Sequence, residues 1–283
     1  MAIITISRGC SSHGQEIAEK VAAKLGYQCV SREILIEASH FFHVPEMKLL
    51  KSLHNAPSIL ERITHGKEIY LAYVQAALLE HAKEDNIVYH GHAGHLLMPE
   101  ICHVLKIRVI AELNQRIEFL QQKQNLSRHE AAAFIKKEDR ERAQWTRYLY
   151  NIDINNPQIY DIVVNIGWLT IPDACEIICT VARRDTYKRT PASKKAITDL
   201  ALSSHVKAAL CRICKAEVRA NDGIVHITVP AQKIRKTGYT TPKLQTFVKE
   251  KIRKDLMAEI EDIARKIPGV KKVICDIDLA YYS

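Results

Sequence analysis

Residues 9–16, GCSSHGQE, stand between an apolar run, MAIITIS, and the stretch IAEKVAAKLG, whose apolar positions recur at helical spacing. A strand buried on both faces reads as such an unbroken apolar run, and parallel sheets are where such strands occur. Gly26 follows the helical stretch where a C-cap belongs, and residues 27–30 read as a second strand. Strand, loop, helix and strand within about thirty residues form a βαβ unit, which commits the chain to helices layered on a parallel sheet. Gly9 and Gly14 give the loop the glycine frame of a phosphate-binding loop. Such a loop holds an anion with main-chain N–H groups and the positive end of the following helix. Ser11, Ser12, His13 and Gly14 preserve those parts, and the two serines are expected to add hydroxyl donors. Gln15 and Glu16 occupy the places of the usual lysine and hydroxyl residue. Gln15 therefore brings no cation to a transferring phosphate, and Glu16 puts a carboxylate where a magnesium-binding hydroxyl is expected, to touch the metal through water or to point away.

The alternation continues. Residues 47–83 are helix-rich with a softer patch at Asn55-Ala-Pro57, residues 86–90 and 105–110 read as strands, and residues 115–123 as a helix. Ser127 and Glu130 are spaced as a capping box opening a helix that runs to Tyr150; residues 160–165 form a strand and 171–184 a closing helix. The fold class is α/β, a P-loop-type, mostly parallel sheet with helices on both faces over residues 1–184. Residues 185–198 turn polar and basic and read as a linker. Beyond it come a helix, a hairpin turning on Asn221-Asp-Gly223, a long amphipathic helix and a last strand, a small α+β unit over residues 199–283. Its charge differs from that of the rest. From Arg183 onward the chain has 22 Lys+Arg against 11 Asp+Glu, whereas the part before it has 19 against 21, so the net charge of +9 is carried by the C-terminal part. No apolar run approaches the roughly 18 to 20 residues that span a bilayer, and the start lacks a basic segment followed by an apolar core. A cytoplasmic protein with reduced cysteines is expected. Cys211 and Cys214 have ligand-like spacing without a second pair, and His90, His92 and His95 sit on a strand-to-loop segment where side chains alternate, so neither group forms an obvious metal site.

The segments ITISRGCSSHGQEIAEKVAAKLGYQCVSREIL, NIVYHGHAGHLL and LNQRIEFLQQKQNLSRHEAAAFIKKEDRERAQWTRYLYNIDINNPQIYDIVVNI together resemble the cytidylate kinase-like family, P-loop relatives of the nucleoside monophosphate kinases. The resemblance runs over residues 3–182. It implies that Ser11 to Glu16 match the site of the ATP phosphates, that Arg116 matches an arginine following the fourth strand, and that Asp139 and Arg142 match a lid motif with Arg140 beside them. Asp139 would orient the lid arginines, and the arginines would spread over the oxygens of the transferred group. Two departures delete permanent cations: Gln15 in the loop, and His92 after Gly91, where the family has Gly-Arg. His92 and Arg32 are then the candidates for holding the acceptor. The hairpin DGIVHITV and the ending IPGVKKVICDI are similar to a BON domain, a module linked to anionic ligands or phospholipids, and Lys249, Lys251, Arg253 and Lys254 form a basic cluster on its long helix.

Two functions fit these residues. The first is ATP-dependent phosphoryl transfer, with Mg2+, to a nucleoside monophosphate or similar small acceptor. The second is a catalytically degenerate nucleotide-binding regulator that signals through the BON-like module. The lid residues favour the first; Gln15, Glu16 and His92 favour the second. A nucleotide is the expected partner in both, and nucleic acid is not.

Overall fold

The computed structural model describes residues 2–31, 33–49, 66–234 and 242–281. The chain divides into two compact units, residues 1–197 and 198–283. In the first, strands β1 (Ile3–Arg8), β2 (Gln28–Val30), β3 (Ile87–His90), β4 (Val104–Ala111) and β5 (Ile162–Ile166) form one sheet in the order β2-β3-β1-β4-β5. All neighbouring pairs are parallel. The helices are α1 (Gly14–Leu25), α2 (Glu33–Phe42), α3 (Gly66–Ala82), α4 (Gly94–Leu97), α5 (Leu113–Gln124), α6 (Arg128–Tyr150) and α7 (Ile171–Ala182).

Strand alternation divides the sheet chemically. Ile4 and Ile6 of β1, Leu105, Ile107 and Val109 of β4 and Val164 of β5 pack with Ile17, Val21, Ala174, Cys175 and Ile178 of α1 and α7. The opposite face carries Thr5 and Ser7, both buried, and there α4 packs on β1. From β1 the chain crosses to β2 on one side and from β4 to β5 on the other, so the direction reverses between these neighbours, and ligands of open α/β sheets bind at the C-terminal ends of strands at such a point. That is where Arg8 and the loop after it lie.

Helix α6 begins at the expected capping box: Ser127 Oγ accepts from Glu130 N–H, and the Glu130 carboxylate accepts from Ser127 N–H. Its Ala131 and Ile135 pack with Ile117 and Leu120 of α5 and with Cys10 of the loop, so the two helices and the loop share one small core. Trp145 is wholly buried further along α6.

Residues 185–198, read as a polar linker, are largely helical instead. A 3-10 turn (Asp185–Tyr187) precedes α8 (Pro191–Leu210), one continuous helix. Thr190 and Ser193 exchange side-chain and backbone hydrogen bonds at its start, and Pro191 opens it with a preset φ. These start signals, together with buried Ile197 and Ala201, outweigh the charged composition. The second unit continues with β6 (Glu217–Asn221), β7 (Ile224–Ile234), α9 (Pro242–Arg265) and β8 (Lys272–Tyr281). Strands β6 and β7 are antiparallel around Asp222 and Gly223, whose positive φ values of 50° and 84° suit a tight hairpin, and β8 runs parallel to β7. Val206, Leu210, Val225, Ile227, Ile260 and Ile277 form the unit's own core, which includes Cys214. Cys211 Sγ bonds to Ala208 O, and among the described residues no three His, Cys, Asp or Glu side chains are grouped to hold a metal. Nor is any helix among them long and apolar enough to cross a membrane. The softer patch at residues 55–57 lies outside the described residues.

Candidate phosphate-binding site

Between β1 and α1 the main chain turns twice into the left-handed region, at Ser11 (φ 57°) and His13 (φ 61°). Non-glycine residues adopt that conformation at a cost of about 1 kcal/mol, so a loop that does so twice is fixed by its surroundings. Such turns aim successive N–H groups into a concavity that suits an anion. Ile17 is the first residue of α1 to bond back, to His13 O at 3.0 Å. The amides of Gly14, Gln15 and Glu16 belong to the first turn, which has no carbonyl one turn earlier to accept them.

A cavity of about 370 Å³ lies over these amides, lined by Arg8, Ser11, His13, Gly14 and Glu16 on the loop side and by Phe119, Glu138 and Arg142 from α5 and α6. Three hydrogen bonds link α5, α6 and the loop. Cys10 N–H donates to Asp139 Oδ1 at 2.9 Å, Arg116 Nη2 to Asp139 Oδ2 at 2.5 Å, and Arg116 Nε to Cys10 O at 2.7 Å. Arg142 Nη1 donates to Arg8 O at 3.3 Å and its Nη2 to Glu138 Oε2 at 3.4 Å. Asp139 thus holds Arg116, while Arg142 is held by Glu138; the expectation that Asp139 orients the lid arginines applies to a different arginine from its α6 neighbours. Arg140 is exposed and lines neither cavity at the loop.

The loop side chains divide as well. Ser12 is wholly buried and donates to Gly9 O at 3.0 Å and Val109 O at 3.2 Å, so its hydroxyl is turned into the sheet and does not reach the cavity. Ser11 lines the cavity, with its Oγ 3.6 Å from Cys10 Sγ. Gln15 is exposed and donates to Glu19 Oε1 at 2.9 Å. The carboxylate of Glu16 accepts from Lys20 at 2.8 Å and lies 3.3 Å from His13 Nδ1. Lys20 holds its pKa below the usual carboxylate range, against burial, with His13 adding to the lowering. The His13 ring also packs on Phe119, with centroids 4.1 Å apart. Burial pushes the Cys10 thiol up, so it stays protonated at neutral pH.

His92, expected to hold the acceptor, is not among the residues lining the cavity. His92 Nε2 is 3.3 Å from Thr146 Oγ1 and the ring packs edge-on to Trp145, which makes it a packing partner of α6 rather than a wall of the cavity. Arg32 lies outside the described residues. Two further arginines stand on the strands of the sheet. Arg8, at the end of β1, lines the cavity, and Arg108, on β4, donates to Ser7 Oγ at 3.0 Å on the far face of the sheet. A second cavity, about 260 Å³, opens beside the loop between His13, Gln115, Arg116 and the turn Gly167, Leu169 and Thr170 after β5. Trp168 stands on that turn and is 99% exposed.

The sequence profile of the cytidylate kinase-like family matches residues 3–167. A cytidylate kinase of Pyrobaculum islandicum is 29% identical over 191 residues, covering 64% of this chain and 95% of that enzyme. A shorter match, 33% identical over 108 residues, takes in 38% of this chain and a segment of a uronate isomerase of Corynebacterium glutamicum, of whose length it spans 20%. Among solved structures, an uncharacterized protein from Eubacterium ventriosum shares the fold, with a TM-score of 0.50 and 18% identity over 64% of this chain and 97% of that one. With more than half of its length inside the family profile and the loop and sheet order laid out as above, the chain belongs to the cytidylate kinase-like family.

Proposed function

We propose that this chain transfers the terminal phosphoryl group of ATP to a nucleoside monophosphate or similar small acceptor. The observation that carries this reading is the cavity over the first turn of α1, with loop amides on one wall and Arg8 and Arg142 on the others. In the transfer, an acceptor oxygen bonds to the γ-phosphorus as the bond to the β–γ bridging oxygen breaks, and the electron pair leaves with ADP. An acceptor phosphate arrives deprotonated, so no side chain has to remove a proton. The chain contributes position and charge: loop amides for the donor phosphates, Arg142 for charge on the moving group, and Arg116 locked to Asp139 to keep the loop in shape. The second cavity, floored by the Arg116 side chain, suits the donor's base.

Magnesium commonly keeps several waters and takes one or two carboxylates together with substrate phosphates. Glu16, ionised and on the cavity wall, is a donor of that type, so the site fits the ion. When bound with ATP, magnesium would neutralise charge on the β- and γ-phosphates.

Radiolabelled ATP with magnesium and a panel of nucleoside monophosphates tests the reading. Labelled acceptor is expected, and Arg142→Ala is expected to lower its formation about 100-fold or more. Binding has its own reporter: ATP should change the emission of Trp168, and Trp168→Phe should remove that change. Neither product nor any nucleotide-dependent change in emission or melting temperature would overturn the proposal.

Gln15 turned to Glu19 and His92 packed on Trp145 favour the second reading, a nucleotide-binding regulator. ATP binding without product in the same assay selects it. We read the second unit as BON-like, with Lys249, Lys251, Arg253 and Lys254 of α9 as its contact for an anionic ligand or phospholipid; Arg253 is the most restrained of these, 3.9 Å from Asp276 and 4.0 Å from Glu250.

A further inference from the structure

The loop has no lysine of its own, and Gln15 in its place bonds to Glu19 at the surface. A different cation reaches the same place from the strand beneath. Arg8 ends β1, and its stem lies against the loop's second glycine: a Cβ on Gly14 would sit 2.6 Å from Arg8 Cδ and 2.7 Å from Arg8 Cβ. Gly14 is thus required for the close approach of the Arg8 stem. Arg8 and Arg142 both line the cavity over α1. The Nε atoms of both are buried and, among the described residues, meet no hydrogen-bond acceptor.

The carboxylates on the cavity wall are engaged with other groups. Glu16 bonds to Lys20, Glu19 to Gln15, and Glu138 to Arg142. Among the described residues Arg8 forms no ion pair, although Glu138 lies near enough to favour its charge. Burial first, and Arg142 beside it second, lower the Arg8 pKa from its ordinary value. A guanidinium so placed still carries its proton at neutral pH. Two adjacent guanidiniums whose Nε donors are buried and unused are costly by themselves. An anion with several acceptor oxygens removes both the repulsion and the unmet bonds.

We propose that Arg8 supplies the fixed positive charge that Gln15 does not, and forms with Arg142 the seat of the terminal phosphate of the bound nucleotide. This rests on the reading of the loop as a nucleotide site. A cation on the end of a central strand, its stem held against Gly14, is oriented before the ligand arrives, which a lysine on an exposed helix turn is not.

Calorimetric titration of the full chain with ATP, ADP and inorganic tripolyphosphate, each with magnesium, tests the seat. The wild type is expected to prefer ATP over ADP. Arg8→Gln should weaken ATP about 10- to 100-fold while leaving ADP within about threefold, because only the terminal phosphate loses a charged donor. Arg8→Lys should keep most of the preference. In the Arg8→Gln background, Gln15→Lys should restore about tenfold in ATP affinity. Equal losses for ATP and ADP in Arg8→Gln, or none, overturn the proposal. If the wild type binds tripolyphosphate in an Arg8-dependent way but no nucleotide, the nucleotide reading fails and the seat stands. If it binds none of the three, both fail. Where melting shows that Arg8→Gln does not fold, Gln15→Lys alone decides. On the exposed first turn it should change ATP affinity by less than about threefold if Arg8 already supplies the charge, and a gain of about tenfold or more would show that the loop had lacked its cation and overturn the proposal.

Discussion

Acidification from pH 7 to pH 4 is expected to unfold the first unit, with net uptake of protons by its buried histidines. His90 at the end of β3 is 7% exposed and His95 in α4 is 4% exposed, and both have pKa values lowered from 6.5 to about 4. Burial is the first cause in each. Arg8 adds to it for His90, against weaker opposition from Glu19 and Glu33, and Lys106 and Arg108 add to it for His95. Their ring nitrogens confirm the neutral form's isolation: both of His95 and Nδ1 of His90 are buried without a partner among the described residues. A folded-state pKa below the unfolded value means that the unfolded chain binds more protons between the two. The stability is therefore complete above about pH 6.5 and is lost as the pH falls towards 4. Each histidine contributes roughly 3 kcal/mol to that loss. Together they approach the 5–15 kcal/mol, in order of magnitude, that holds a whole domain folded. His103, wholly buried with Nε2 3.0 Å from Asp85 Oδ1, is shifted the same way, because burial outweighs the carboxylate. Circular dichroism against pH should show a cooperative transition between pH 4 and pH 6.5. His95→Phe, which keeps a ring against Tyr160 and removes the titration, should move the midpoint to lower pH and reduce its steepness. A first unit that stays folded at pH 4, or a midpoint indifferent to His95→Phe, would contradict the assignment.

The same residues show what a sequence can disclose. The parallel sheet was legible because buried strands and amphipathic helices leave different periods, and because Ser127 with Glu130 marks a helix start by chemistry rather than composition. The first half of the helix over residues 191–210 was not, since its charged composition resembles a linker while its start signal is Thr190, Pro191 and Ser193. Thr170 and Asp173 form a second capping box of the same kind, at the head of α7. In the site, the identities of the loop residues were readable and their directions were not. Whether Ser12 faces a ligand or the sheet depends on φ at its neighbours, which the residue types leave open. Arg8 can be placed at the end of a strand from the sequence, but its packing against Gly14 and its place on the cavity wall are visible only in the fold. Asp139 and Arg116 stand on different helices, so their pairing exists only once α5 and α6 are docked on Cys10.

That pairing carries the second large effect: Asp139→Ala is expected both to destabilise the first unit and to slow phosphoryl transfer. The carboxylate accepts from the Cys10 amide and from Arg116, and Arg116 closes the ring by donating to Cys10 O. Removing it leaves a guanidinium only 12% exposed without its counter-charge and the loop amide without its acceptor. Exposed pairs contribute about 0–1 kcal/mol and the breaking of buried ones costs about 3–5. The Asp139 side chain is 35% exposed, so a loss of about 2 kcal/mol, between those limits, is expected. The effect on rate should be larger than this implies, about 100-fold, because the ring fixes the main chain that positions the donor phosphates. Asp139→Asn keeps an oxygen for the Cys10 amide and discards the charge, so it should recover loop geometry, and with it ATP affinity, more than stability. Arg116→Met in the Asp139→Ala background should add little further destabilisation, giving a coupling of about 1–2 kcal/mol in a double-mutant cycle. Additive losses would mean that the two side chains act separately, each through its own bond to Cys10.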